Sequence, residues 1–221
     1  MSQRFQAVLF DLDGTLVDTA PDLGLALNMQ RARHGLDALP IATIRPYASH
    51  GSRGLLGIGF GMTPDHPDFE AMRIEYLDLY DQVFTQSPVM FDGMAELLGD
   101  IEKAGLKWGV VTNKPRRFTR PLIQAMGLGP RAACVVSGDD AARPKPYPDT
   151  LYLACEIAQA SPEHCLYVGD AERDIQAGKA AGMRTVVAAY GYLDEEDAPD
   201  AWGANFLVQS PGEISRLLFP S

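Results

Sequence analysis

Three cysteines, two tryptophans and four histidines in 221 residues leave little material for a disulfide framework or for a metal centre built on soft ligands. Cys134, Cys155 and Cys165 are an odd set lying in apolar stretches. They read as small core hydrophobes, and the expected compartment is the cytoplasm. His34, His50, His66 and His164 show no paired ligand spacing. Long apolar runs are also missing: none approaches the ~20 residues that span a bilayer. Met1-Ser2-Gln3-Arg4-Phe5-Gln6 is expected to lead straight into a strand, without a targeting segment. Positive charge is scarce as well, with 19 Lys and Arg against 29 Asp and Glu, a net charge of −10. That balance argues against a nucleic-acid partner, which needs a basic footprint. A small-molecule partner, no membrane, and a monomer or homodimer are the expectations.

What is present concentrates near the start. Ala7-Val8-Leu9-Phe10 is a continuous apolar run, the pattern of a strand buried on both faces. It delivers Asp11 and Asp13 to its end and breaks at Gly14-Thr15. Side chains alternate along a strand, so residues two apart point the same way. Two carboxylates aimed together repel each other, an arrangement that persists when a cation or a chemical task holds it. A calcium loop also begins D-x-D. Here Gly14 falls at position four rather than six, Asp22 replaces the closing glutamate, and a strand precedes the loop instead of a helix. The run Gly57-Ile58-Gly59-Phe60-Gly61-Met62 imitates a dinucleotide fingerprint but lacks its last glycine and a preceding strand.

Further motifs follow each later strand-like run. Residues 106–111 end in Thr112-Asn113-Lys114-Pro115. Beyond Val135-Val136-Ser137-Gly138 comes Arg143-Pro144-Lys145-Pro146. Residues 165–168 end in Gly169-Asp170, with Asp174 four residues on. Lys114, Arg116, Arg117, Arg120, Arg143 and Lys145 gather around two of these loops and are expected to make an electropositive site on an acidic protein.

The order DxDGT, threonine, lysine, GDxxxD resembles the haloacid dehalogenase superfamily over the whole chain. Residues 19–87 carry helical patterns alone, including Phe69, Met72, Tyr76, Leu79, Tyr80 and Val83 on one face. From Pro88 onward strands and helices alternate. Met94, Leu97, Leu98 and Ile101 mark one helix, Tyr147, Leu151, Ala154 and Ala158 another, and 185–189 and 206–208 later strands. The expectation is an α/β fold: a Rossmann-like core with a parallel sheet flanked by helices, spanning 1–18 and 88–221. By the resemblance, 19–87 is a helical cap inserted after the first motif.

The resemblance also implies roles. Asp11 is the nucleophile and Asp13 the general acid and base. Gly14, Thr112, Asn113 and Lys145 bind phosphate, with Lys145 also neutralising Asp11. Mg²⁺ is the implied cofactor, held by the side chains of Asp11 and Asp170 and the backbone carbonyl of Asp13, with Asp174 orienting waters or Lys145. The activity implied is phosphomonoester hydrolysis through an aspartyl phosphate. The segments VTNKP, KPYPD and AAYGY resemble the phosphoglycolate phosphatase group. The longer runs FDGMAELLGDIEKAGLKWGVVTNKPRRF and AYGYLDEEDAPDAWGAN are similar to N-acetylmuramic acid 6-phosphate phosphatases of peptidoglycan recycling. Both substrates carry a carboxylate, and Arg53, in a loop His50-Gly51-Ser52-Arg53-Gly54, is the candidate cation for it. A phosphosugar mutase and a phospho-accepting receiver switch are the alternatives.

Overall fold

The computed structural model describes residues 5–220. Met1 to Arg4, expected to lead into the first strand, and Ser221 lie outside them. The chain opens with β1 (Ala7–Phe10), every residue of it buried. A short β2 (Val17–Asp18) leads into α1 (Ala20–Arg33), α2 (Ile41–Ile44), a 3-10 turn over Arg45–His50, α3 (Gly51–Phe60) and α4 (Phe69–Tyr80). After β3 (Val89–Met90) strands and helices alternate: α5 (Met94–Lys103), β4 (Lys107–Val111), α6 (Arg116–Ala125), β5 (Cys134–Val136) and α7 (Asp149–Ala158). Then come β6 (Cys165–Gly169), α8 (Glu172–Ala180), β7 (Arg184–Ala188), β8 (Phe206–Val208) and α9 (Pro211–Leu218).

Among the described residues, six strands form a parallel sheet in the order β5-β4-β1-β6-β7-β8. The chain winds outward from β1 through β4 to β5, then returns to β6 and winds the other way. In register, Phe10 faces Val110 on one side and Val168 on the other. The residues after these positions, Asp11, Thr112 and Asp170, therefore emerge at one edge, the carboxyl edge where ligands bind in such sheets. Helices cover both faces. Val8, Phe10, Trp108, Val110 and Val168 pack with Met94, Leu97, Leu98 and Ile101 on one side. Leu9, Val111 and Tyr167 pack with Leu151, Ala154 and Ala158 on the other.

The helices α1 to α4 gather a further apolar core, with Leu23, Leu27, Ile44, Leu55, Leu56, Phe69, Met72, Tyr76, Leu79 and Tyr80 buried together with Phe118 of α6 and Tyr192. Around it the structure adds one element that the sequence did not show and corrects one expectation. Residues 17–18 and 89–90 pair as an antiparallel ribbon, Val17 against Met90 and Asp18 against Val89, at the two chain crossings. Two-residue strands have no periodicity to read. Tyr147, expected on the α7 stripe, lies before the helix and is 48% exposed, its ring 4.2 Å from the Arg143 guanidinium. Pro148 stands at the N-cap, and a residue before proline is steered away from helical backbone.

Asp18 anchors the crossing. Arg45 grips both its carboxylate oxygens at 2.9 Å, and the Tyr192 hydroxyl donates to Oδ1 at 2.7 Å. The same phenol oxygen accepts from the backbone N–H groups of Thr19 and Ala20 at the start of α1. The helical segment is thus tied to the sheet edge at its root.

Candidate active site

Asp11 leaves β1 with its N–H donated to Val168 O at 2.8 Å, so the β6 ladder fixes its backbone. Its Oδ1 accepts from Leu12 N at 2.7 Å and stands 3.0 Å from Lys145 Nζ. Asp13 lines the same cavity but pairs with a different lysine: Lys114 Nζ donates to Oδ1 at 3.0 Å, joined by the Thr19 hydroxyl at 2.5 Å. The two carboxylates that the sequence places together are separately neutralised.

Lys145 is the most enclosed of these groups. Its ammonium lies 2.6 Å from Asp174 Oδ1 and donates to Val111 O and the Tyr167 hydroxyl at 3.1 and 2.8 Å. Asp174 sits in the first turn of α8, where its Oδ2 also accepts the Ala171 N–H. The loop carrying Lys145 is clasped by Asn113, whose Nδ2 donates to Lys145 O and whose Oδ1 accepts from Lys145 N, both at 2.9 Å. With its carboxamide so engaged, Asn113 has its backbone N–H to offer a ligand. Thr112 is complementary: its Oγ1 accepts from Lys114 N at 3.1 Å, leaving the hydroxyl proton to point elsewhere.

Asp170 receives the Thr15 hydroxyl on Oδ1 at 3.0 Å, and Tyr192 N and the Ser49 hydroxyl on Oδ2 at 3.0 and 2.6 Å. Gly14, at φ +83°, lies against it so closely that a Cβ would stand 2.1 Å from Asp170 Oδ2. Both the backbone sign and the space require glycine. Burial, and then the charges of Asp11 and Asp174, push the Asp170 carboxyl up to about 7. Burial raises the Asp11 carboxyl too, against the opposing pull of Lys145.

Buried carboxylate oxygens of Asp11, Asp170 and Asp174 lie within 4.8 Å of one another, a hard-oxygen donor set that suits a small divalent cation such as Mg²⁺. Asp174 is engaged by Lys145, Tyr167 and Ala171, and Asp170 by Thr15, Tyr192 and Ser49.

A cavity of about 520 Å³ opens above Asp11, Asp13, Thr112, Asn113 and Lys145. Its far wall is α3 and α4. Arg53 lines it, but from the first turn of α3 rather than from a loop: the helix begins at Gly51. The expected cationic cluster is smaller than its sequence suggests. Arg116 and Arg120 pair with Asp140, and Arg143 with Asp149, all at the surface. Lys114 and Lys145 turn inward, joined by Arg173, whose guanidinium donates to Ser49 O at 2.6 Å. Sequence reading passed over Arg173 although it lies inside GDAERD, and over Ser49, whose contact with Asp170 spans 121 positions. Tyr80 read as core alone, yet its hydroxyl reaches Lys114 Nζ at 2.8 Å.

The family described as haloacid dehalogenase-like hydrolase matches residues 8–188. An N-acetylmuramic acid 6-phosphate phosphatase of Pseudomonas putida is 44% identical, covering 97% of this chain and 96% of its own. A phosphoglycolate phosphatase of Xanthomonas campestris is 39% identical, covering 95% and 94%. The crystal structure of a predicted phosphoglycolate phosphatase from Haemophilus somnus shares the fold, with a TM-score of 0.84 at 24% identity over 99% and 100% of the chains. Among the described residues, no helix is long and apolar enough to cross a membrane. The chain belongs to the haloacid dehalogenase-like hydrolases.

Proposed function

We propose that the chain is a Mg²⁺-dependent phosphomonoesterase that works through an aspartyl phosphate on Asp11, with α1 to α4 (residues 19–87) acting as a cap over the core. The observation that carries this reading is the convergence of Asp11, Asp13, Thr112 and Lys145 on one cavity floor.

A phosphate monoester resists an anionic nucleophile because it is itself anionic, and its alkoxide leaves poorly without a proton. Lys145 answers the first problem: its ammonium lies against Asp11 and is fixed by Asp174, so it meets the phosphate without reorganising. The Thr112 hydroxyl and the Asn113 N–H supply hydrogen bonds to phosphate oxygens, and Gly14 lets the backbone approach. Asp13 hands a proton to the departing oxygen, then takes one from the water that hydrolyses the acyl phosphate. Mg²⁺, held by the Asp11 and Asp170 carboxylates and the Asp13 carbonyl, would add charge neutralisation at the phosphate.

For the substrate, N-acetylmuramic acid 6-phosphate is favoured. The cavity, about 520 Å³, lies well inside the roughly 300–1,000 Å³ that hold whole ligands. It exceeds what a two-carbon ester fills. Its wall mixes Leu23, Tyr76 and Phe118 with the Arg53 guanidinium, a lining that suits a sugar bearing an acetyl group and a carboxylate. Phosphoglycolate, also carboxylated, is the second reading, supported by relatives of that name. Parallel kcat/KM measurements with Mg²⁺ on the two esters decide between them. A hundredfold preference for phosphoglycolate would reverse the order, and release of phosphate from neither would remove both.

A further inference from the structure

We propose that Lys114 is a positioning residue for Asp13, and that Tyr80 on α4 fixes the lysine in turn, so that the docked helical segment sets the orientation of the proton-donating carboxyl. The proposal rests on the phosphatase reading above, in which Asp13 is the acid.

Lys114 leaves the sheet two residues beyond Thr112, and its backbone is pinned on both sides. Its N–H bonds Thr112 Oγ1, and its carbonyl accepts from the Thr119 hydroxyl at 3.0 Å and from Gly138 N at 3.1 Å. The side chain is 6% exposed, so the ammonium is held where water competes little. It finds two partners from opposite layers of the molecule: Asp13 Oδ1 at 3.0 Å on the core and Tyr80 Oη at 2.8 Å on α4. The ammonium also stands 4.7 Å from the centre of the Tyr80 ring. That ring is wedged against Phe118 and Phe84, with centroids 5.0 and 5.8 Å away, and cannot turn freely. Burial pushes the Tyr80 phenol well up, so it stays neutral and offers the lysine a lone pair.

The geometry at Asp13 gives this pairing a consequence. Both hydrogen bonds that the described residues give its carboxylate, from Lys114 and from Thr19, go to Oδ1. An oxygen accepting from an ammonium is a poor seat for a proton. Oδ2, which receives neither bond, is the oxygen left free for the departing group. In the first step an Asp11 carboxylate oxygen forms a bond to phosphorus as the bond from phosphorus to the ester oxygen breaks. The electron pair of that bond goes to the departing oxygen, and the proton moves from Asp13 Oδ2 onto it. Without Lys114 the carboxyl keeps the Thr19 bond alone, and its orientation toward the departing oxygen is held less firmly.

A structural role and a positioning role differ in how the loss depends on the ester. The test measures kcat/KM for Mg²⁺-loaded enzyme on substituted phenyl phosphates, from 4-nitrophenyl to 4-methoxyphenyl, and on a primary alkyl phosphate. Wild type, Asp13→Asn, Lys114→Met and Tyr80→Phe are compared. A weakly basic leaving group needs no proton, whereas an alkoxide does. Wild type is expected to show a shallow dependence on leaving-group basicity and Asp13→Asn a steep one. Lys114→Met should resemble Asp13→Asn, losing about a hundredfold or more on the alkyl ester and far less on 4-nitrophenyl phosphate. Tyr80→Phe should move the same way by a smaller factor. Because the readout is a ratio within each variant, a smaller folded fraction cancels. If Lys114→Met fails to fold, the Tyr80→Phe slope decides. A steep Asp13→Asn slope beside an unchanged slope in Lys114→Met and Tyr80→Phe would overturn the proposal alone. An unchanged slope in Asp13→Asn would overturn the reading of Asp13 as acid, and the proposal with it.

Discussion

The Asn113 carboxamide and the Lys145 backbone hold each other at two points, N–H to Oδ1 and Nδ2–H to O, each at 2.9 Å. This clasp joins the loop after β4 to the loop after β5 and sets where the Lys145 ammonium enters the site. Asn113→Asp keeps the acceptor and size but turns the donor into an oxygen facing the Lys145 carbonyl. The expected cost is about 1–3 kcal/mol of stability, the range for a lost bond that leaves a partly buried group unsatisfied. Thermal unfolding would register it, and kcat should fall because the backbone that delivers the ammonium is no longer clasped. A variant with wild-type Tm and kcat would show the clasp to be incidental.

Asp11→Asn tests the nucleophile. The amide is nearly isosteric and a poor nucleophile, so turnover should drop by about four orders of magnitude or more. Stability should not drop with it. Removing one carboxylate relieves Asp170 of the charge that, after burial, contributes most to raising its pKa. Metal-free Asp11→Asn is therefore expected to melt at or above the wild-type temperature. Substantial remaining turnover would take Asp11 out of its proposed role.

Lys145 is a different case, because its removal strands charge. Asp174 and Asp11 both lean on the ammonium, at 2.6 and 3.0 Å. Lys145→Met should cost about 3–5 kcal/mol, the loss seen when one partner of a buried pair is removed. Adding Asp174→Asn should return much of the Tm, since the stranded carboxylate is then neutral, while activity stays lost. If the double variant melts no higher than Lys145→Met, Asp174 is not the residue that the lysine supports.

These residues differ in how far the sequence announced them. Asp11, Thr112 and Asp170 follow apolar runs that read as strands, and a parallel sheet brings its carboxyl ends to one edge, so their gathering was legible from order alone. The fold was legible for the same reason, the strand and helix alternation after Pro88 being strong. Lys114, Tyr80, Ser49 and Arg173 were not legible as site residues. Their partnerships join the helical segment to the core across 34 to 124 positions, and a side chain's direction across such a gap is set by packing. Asp140 and Asp149 hid from the opposite direction: they draw Arg116, Arg120 and Arg143 to the surface, which a count of local charges could not foresee. The ribbon of β2 and β3 is too short to leave a pattern.

The buried acids also predict how stability depends on pH. The Asp170 carboxyl is pushed up to about 7 in the folded protein from an ordinary 3.8. Between those values the folded state holds a proton that the unfolded chain has released. Stability of the metal-free protein should therefore fall as pH rises from about 4 through 7, because the folded state binds more protons in that window. The Asp11 carboxyl, raised by burial, adds to the same trend. A divalent cation on Asp11 and Asp170 replaces that proton and should reverse the slope. Thermal melts of metal-free protein at pH 5 and pH 8 should show the higher Tm at pH 5. Added Mg²⁺ should raise Tm by several degrees at pH 8 and hardly at pH 5, where protons compete for the same oxygens. Asp170→Asn should flatten the metal-free trend and abolish most of the Mg²⁺ effect. An Mg²⁺ shift that persists in Asp170→Asn would place the cation elsewhere, and a metal-free Tm that rises from pH 5 to pH 8 would contradict the raised carboxyls themselves.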